Sequence, residues 1–386
     1  MSTRLQDRTE GPGPDGVEQH ALDRVSGLVA SPVRSTPGWY AWAALGGALV
    51  LAVVLRAALG WHLLPVVLLS FLGYTLAVYV IYRRVGGQRV AVDQVMRALM
   101  YAAFLAALTP LLALLYTVIS DGAARASSVD FLSTTMNGVT GVFDQRYAEG
   151  EGPFVGGVYH AIIGTLIITL LATLISVPIG MFTAIYLVEY GRNNQFSRAV
   201  RFLVDVMTGV PSIVAGLFAF ALFGAIFGIG TKNGLAGAVA LSVLMIPTVV
   251  RNSEEMLRIV PNELREAAYA LGVPKWRTIA KVVLPTAISG LASGVTLAIA
   301  RVIGETAPLL VAVGGAPYLN LNAIDGPMNS LALYAYQMFR SPLNPGVREP
   351  SMERAWAAAL LLVAIVVLLN LTARLIAKLF APKTGR

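Results

Sequence analysis

Arg301 and Glu305 stand four residues apart in ARVIGETAP, inside the apolar run 286–313. A charge at membrane depth costs at least ~2.5–3.5 kcal/mol, so it needs a partner or a water-lined cavity. The i, i+4 spacing predicts one helix face, where the two side chains can pair with each other. Arg301 would then be the electropositive element of an anion pathway. Glu305 would hold the guanidinium and keep the site from trapping a multivalent anion. The plainer reading is a pair that locks two helices together. Thr306 and Pro308 loosen the helix just beyond and free a carbonyl for the same cavity. A second interruption, Gly209-Val-Pro-Ser212, breaks the apolar run 199–227. Pro211 removes a backbone donor there, and Ser212 can bond the exposed carbonyls. Broken spans often border transport sites, although many are simple kinks.

Bond-making chemistry has little to work with. The chain has no cysteine, and His20, His62 and His160 are too scattered for a metal cluster. An intramembrane enzyme would need a Ser/His pair, an HExxH or paired carboxylates at membrane depth, and none is present. Gly228-x-Gly230-Thr-Lys232 lacks both the spacing and the hydroxyl of a phosphate-binding loop. No catalytic, metal or cofactor residue is expected in this chain.

The elements that would hold these residues are membrane helices. The 386 residues are 56% hydrophobic and only 13% charged, about half the charge of soluble domains. Runs at about 39–59, 62–82, 97–119, 158–189, 199–227, 234–250, 286–313 and 355–376 approach or exceed the ~20 residues that cross a hydrocarbon core. The expectation is an all-α polytopic membrane protein of about eight spans, with both termini on one side. Placing the termini in the cytoplasm puts 21 of the 29 Lys and Arg residues inside and six outside. The net charge of +8 thus reports topology rather than nucleic-acid binding. Residues 1–36 read as a disordered cytoplasmic tail. Residues 37–96 read as an N-terminal helix pair with a basic linker, ahead of a six-span core over 97–386. The outer segment 314–354 should carry a re-entrant or surface helix, Ser330–Phe339. Gly290-x-x-x-Gly294 with Ala298 reads as a close-packing face. Glu189 and Asp205 lie at the cytoplasmic ends of their spans and read as interfacial.

The cytoplasmic segment 251–285 holds a soluble-looking hairpin, EAAYALGVPKWRTIAKVVLP. Pro261 and Gly272 bracket a helix over 261–271, with Leu264, Ala267, Ala268 and Leu271 as its apolar stripe. Pro274 opens a second helix with the stripe Trp276, Ile279, Ala280 and Val283, and Pro285 should end it. A compact knob of this kind must rest on something.

Glu266-Ala267-Ala268, three residues, Gly272, nine residues, then Val282-x-Leu284-Pro285 resembles the EAA loop of ABC-importer permeases. HAIIGTLIITLLATLISVPIG (160–180), AIYLVEYG (184–191), GVPSIVAGLF (209–218), EEMLRIVPNELREAAYALGVPKW (254–276) and ARVIGETAPLL (300–310) narrow the resemblance to the phosphate-specific permeases, from about residue 97 to 376. Residues 37–90 match nothing in that pattern. The resemblance implies a permease subunit that moves inorganic phosphate across the inner membrane of a bacterium. It implies Glu266, Ala267, Ala268, Leu271, Gly272, Trp276 and Pro285 as the ATPase-coupling surface. It places the anion path on Arg301 and Glu305 only; Thr306 and Ser212 join the expected substrate pathway through their own chemistry at the two helix interruptions. Implied partners are a homologous PstC-like permease, two PstB-like ATPases that hold ATP and Mg²⁺, and an extracytoplasmic PstS-like phosphate-binding protein. The alternatives are a permease for another oxyanion (sulfate, molybdate or phosphonate) and a non-translocating sensor or scaffold.

Overall fold

Apolar helices account for most of the chain. The computed structural model describes residues 39–60, 62–191 and 194–380, so the expected tail 1–36 lies outside the described residues. The chain divides into two compact units, residues 1–112 and 113–386. That boundary lies inside a helix.

The first unit contains α1 (Trp39–Leu59) and most of α2 (Leu63–Ala126). Ala44, Val78, Tyr82 and Ala91 form its small core, and Tyr40 meets Tyr82 edge-on. The 64 residues of α2 are about three times the ~20 needed for one crossing. Gly87 breaks it, with φ 84° and ψ 177°, into two arms each long enough to cross. The basic stretch expected as a linker is therefore helical, with glycine supplying the one non-helical residue.

In the second unit, short α3 (Val129–Ser133) and α4 (Gly141–Ala148) lead to α5 (Tyr159–Ile185), which ends in a π-turn at Tyr186–Tyr190. Next come α6 (Gln195–Thr208), α7 (Ser212–Phe227) and α8 (Gly234–Ile259). The hairpin helices α9 (Asn262–Ala270) and α10 (Lys275–Thr278) run through a π-turn at Ile279–Val283 into α11 (Leu284–Val302). Short α12 (Ala307–Ala312), α13 (Leu331–Arg340) and α14 (Glu349–Phe380) complete the unit.

Among the described residues, six helices are long and apolar enough to cross a membrane, or seven if the bent pair α6–α7 is one span. Counting both arms of α2 recovers the eight apolar runs expected. The main core gathers Ile168 and Ala172 of α5, Ala238, Leu241 and Met245 of α8, Ala298 and Val302 of α11, and Leu309 of α12. The small-residue face of α11 lies where expected. A Cβ on Gly294 would come within 2.8 Å of Asn252 Cβ, and one on Gly290 within 2.9 Å of Met256 Cγ.

A second core joins α3, α5, α13 and α14. Ser330 caps α13 by accepting from the Leu333 N–H, so the expected outer helix forms within a residue of its predicted bounds. Arg354 and Asp144 are both buried and pair at 3.0 and 2.6 Å. Ser351 donates to the same carboxylate, and Arg354 also donates to the Val155 carbonyl. Burial pushes the neighbouring Tyr334 phenol well above its ordinary range, so it stays neutral.

Candidate functional site

The two interrupted runs meet. At Gly209–Pro211 the chain bends by 104° between α6 and α7. α6 is amphipathic, with Arg198, Arg201 and Asp205 among the apolar Phe196, Phe202, Leu203 and Val206. α7 has 16 residues, or ~24 Å, and falls short of a full crossing by itself. The run 199–227 is therefore two helices bent sharply at Gly209–Pro211. The run 286–313 breaks as well: α11 ends at Val302, the chain turns through Gly304 and Glu305, and Pro308 sits in the first turn of α12. A Cβ on Gly216 of α7 would lie 2.6 Å from Pro308 Cα, so these two short helices touch backbone to backbone.

Arg301 occupies the last turn of α11 and is exposed. Its one described hydrogen bond runs from Nη1 to Thr248 Oγ1 on α8, at 3.4 Å. The expected pairing with Glu305 is not made. Glu305 lies past the helix end, where its N–H donates to the Val302 carbonyl, so i, i+4 geometry no longer applies. Glu305 and Thr306 are half-buried in the turn, and Thr306 is the residue before α12. Ser212 is the first residue of α7 and makes no side-chain hydrogen bond among the described residues. The geometry thus brings Arg301, Glu305 and Thr306 to one helix break and Ser212 to the other, and the Gly216–Pro308 contact joins the helices that follow. Among the described residues, no group of three or more His, Asp or Glu is placed to hold a metal ion.

The hairpin lies beyond the C-terminal end of α8. Pro261 precedes α9, and Gly272 (φ 75°) follows it. The Gly272 N–H donates to the Tyr269 carbonyl and the Val273 N–H to the Ala268 carbonyl, the paired bonds of a left-handed helix stop. Its apolar stripe does not turn inward, however. Ala268 is buried, but Leu264 and Ala267 are exposed and Leu271 is 83% exposed. On the second arm, Ile279 and Val283 are buried while Trp276 is 60% exposed. Glu266, Leu271 and Trp276 therefore belong to a face with apolar content that is exposed among the described residues. Pro285 does not end the second helix, because helical residues run from Lys275 to Val302. The π-turn over Ile279–Val283 widens the helix just before Pro285, so the chain continues helically through a residue that has no backbone N–H to donate.

Sequence reasoning missed what anchors this hairpin. Arg265 is only 5% exposed, and its Nε and Nη2 donate to Glu189 Oε1 at 3.0 and 2.8 Å. Glu189, read as interfacial, is 4% exposed and sits on the π-turn that ends α5. Asp205 does lie at an exposed surface, paired with Arg251. Arg201 of α6 bonds Glu254 at 3.0 Å and the Leu187 carbonyl at 3.0 Å. The available signal was an arginine flanked by the stripe residues Leu264 and Ala267, which a purely apolar buried face would not accommodate.

Residues 176–386 match the family described as the binding-protein-dependent transport system inner membrane component. The chain belongs to this family: it is a multi-pass inner-membrane transport permease, not itself an enzyme, and it works with an ATPase and a binding protein. Within the family it is similar to the phosphate transport system permease protein PstA 1 of Mycobacterium tuberculosis (strain CDC 1551 / Oshkosh), with 44% identity over 297 residues, 77% of this chain and 92% of the relative. It is also similar to the phosphate transport system permease protein PstA of Pasteurella multocida (strain Pm70), 39% identical over 262 residues, 68% of this chain and 86% of that one. A looser likeness joins it to an inward-facing MetNI methionine ABC transporter, with TM-score 0.45 and 24% identity over 58% of this chain and 95% of that one.

Proposed function

We propose that this chain is the permease subunit through which an ATP-driven importer moves inorganic phosphate into the cell. The observation that carries the reading is the 44% identity to a phosphate permease across 92% of that relative. The helix breaks support it chemically. Phosphate carries one or two negative charges at neutral pH and must shed water to cross, so a cation beside the path lowers the barrier. Arg301 offers one: it is exposed from this chain and most of its N–H donors are unspent. Glu305 and Thr306 in the adjoining turn would weaken the hold on the anion enough for release, and Ser212 would add a hydroxyl at the neighbouring break. A PstC-like permease would complete the passage from the other side. Two PstB-like ATPases would bind ATP and Mg²⁺ and receive the hairpin at Glu266, Leu271 and Trp276. A PstS-like protein would deliver phosphate to the outer surface, with both termini of this chain in the cytoplasm. No cofactor is assigned to this chain.

The test is uptake by the reconstituted complex with its binding protein, comparing radiolabelled phosphate with sulfate. Phosphate uptake that depends on ATP and resists excess sulfate is expected. Sulfate uptake without phosphate uptake would transfer the reading to another oxyanion. ATP hydrolysis with no transport of either would favour a sensing subunit.

A further inference from the structure

The joint between α8 and the hairpin should be soft. Val260 and Pro261 are extended, with ψ of 124° and 141°, and proline supplies no N–H to tie the two helices together. A push on the hairpin could then be absorbed by bending at this joint. Arg265 spans it. Its Nη1 donates to the Val260 carbonyl at 2.6 Å and its Nη2 to the Leu257 carbonyl at 2.9 Å, so it caps the end of α8. The same guanidinium holds Glu189 on the π-turn of α5. The second hairpin arm reaches that π-turn too, with Lys275 Nζ 4.8 Å from the centre of the Tyr190 ring. Both arms therefore grip the cytoplasmic end of α5, and the central bond is shielded from water. In that setting the charge-assisted bonds, made by side chains only 6% and 2% exposed, resist stretching.

We propose that Arg265, through Glu189, is the positioning residue that makes the hairpin and the cytoplasmic end of α5 move as one body. Force delivered at the hairpin then passes to the membrane helices and does not fold the Val260–Pro261 joint. This inference rests on the reading of the hairpin as the ATPase-facing surface.

The chain has no cysteine, so two introduced ones can carry unique spin labels. Glu263→Cys in the first turn of α9 and Phe182→Cys on α5 are both exposed positions. The pair would be measured in the assembled complex with cysteine-free partners, both nucleotide-free and trapped with ATP. A narrow distance distribution that is the same in both states is expected. In Arg265→Met and in Glu189→Gln it should broaden or shift with nucleotide. Solute moved per ATP hydrolysed should fall roughly 3- to 30-fold, with hydrolysis itself retained. Arg265→Lys, which keeps the charge but not the fork, should be intermediate. A double Arg265→Met/Glu189→Leu variant removes both charges together, so that none is left buried and unpaired.

An unchanged distribution in all variants would overturn the proposal. So would uptake and hydrolysis falling together at a constant ratio, which is what a merely structural role gives. If the variants do not assemble, the parental pair still decides: a distance that changes with nucleotide refutes rigid coupling. The distance readout does not depend on the solute, so absence of phosphate uptake would sink the substrate reading and leave this one standing.

Discussion

Arg301→Ala is the sharpest perturbation of the proposed path. The guanidinium has five N–H donors, and the one described hydrogen bond, to Thr248 at 3.4 Å, is long. Little of its bonding is spent on holding the fold, so the variant should assemble in normal amounts. What it loses is interaction with the passing anion. A hydrogen bond to a charged group contributes ~1.5–3 kcal/mol, and ~1.4 kcal/mol is a tenfold change, so initial uptake should drop roughly 10- to 150-fold. Because Arg301 is exposed from the chain, solvent screening favours the lower half of that range. Arg301→Lys keeps the charge but not the planar fork and should fall between the two.

The assay is the initial rate of radiolabelled phosphate uptake into proteoliposomes containing the whole complex, with ATP hydrolysis measured in parallel. Hydrolysis should persist while uptake falls, because the hairpin is untouched. Full uptake with unchanged half-saturation in Arg301→Ala would refute any role for this side chain in the path. The break at Glu305–Thr306 would then be structural only.

Three further perturbations follow from contacts elsewhere. Gly216→Val would put a Cβ 2.6 Å from Pro308 Cα, where ordinary contact needs ~3.4–4 Å. Overpacking of this kind costs ~1–3 kcal/mol, so melting temperature and uptake should both fall. Gly224→Val on the same helix meets nothing within 4 Å and should behave as wild type, and equal effects at both sites would remove the contact from the account. Asp144→Asn breaks a pair whose side chains are each 1% exposed, so unfolding should show a loss of ~3–5 kcal/mol. Glu353→Gln breaks the more exposed pair with Arg125, 39% and 20%, and should cost under ~1 kcal/mol; an equal pair of values would show that burial does not decide. Trp276→Asp alters a side chain 60% exposed, so stability should hold while co-purification of the ATPase is lost. Retained ATPase at wild-type stoichiometry would exclude Trp276 from the coupling face.

Features fixed by local rules were readable in the residue order. Pro261, Gly272 and Ser330 mark helix ends through backbone geometry and a side-chain cap, and these depend on a few adjacent residues only. The bend at Gly209–Pro211 was readable for the same reason. The pairings that fix tertiary structure were not. Arg265 and Glu189 are 76 positions apart, and Arg354 and Asp144 are 210 apart. Both pairs looked like surface charges because hydropathy counts a charged residue as outside unless its partner is known. The Arg301–Glu305 pairing failed in the opposite way. Its spacing suited a helix, but Gly304 and Pro308 end that helix before Glu305 is reached.

The two proline-bearing joints of one helix run are handled differently, and the difference matches the work each must do. At Pro285 the π-turn over 279–283 keeps the backbone helical from the hairpin into α11, so a displacement of the hairpin has a stiff element to travel along. At Pro308 the helix opens through Gly304 and Glu305, leaving backbone and side chains free to face a polar path. A π-turn costs little hydrogen bonding, whereas an open break inside a membrane is tolerated only where protein or water satisfies the freed groups. On the proposed reading, the break is where water and solute reach this chain. A chain built only for mechanical coupling would have no reason to open α11 beside Arg301, and a chain built only as a pore would have no reason to stiffen the passage from hairpin to membrane. Both devices occur along residues 275–312, within one continuous stretch. That arrangement is what an element needs if it is to be pushed at one end and to change access to a solute at the other.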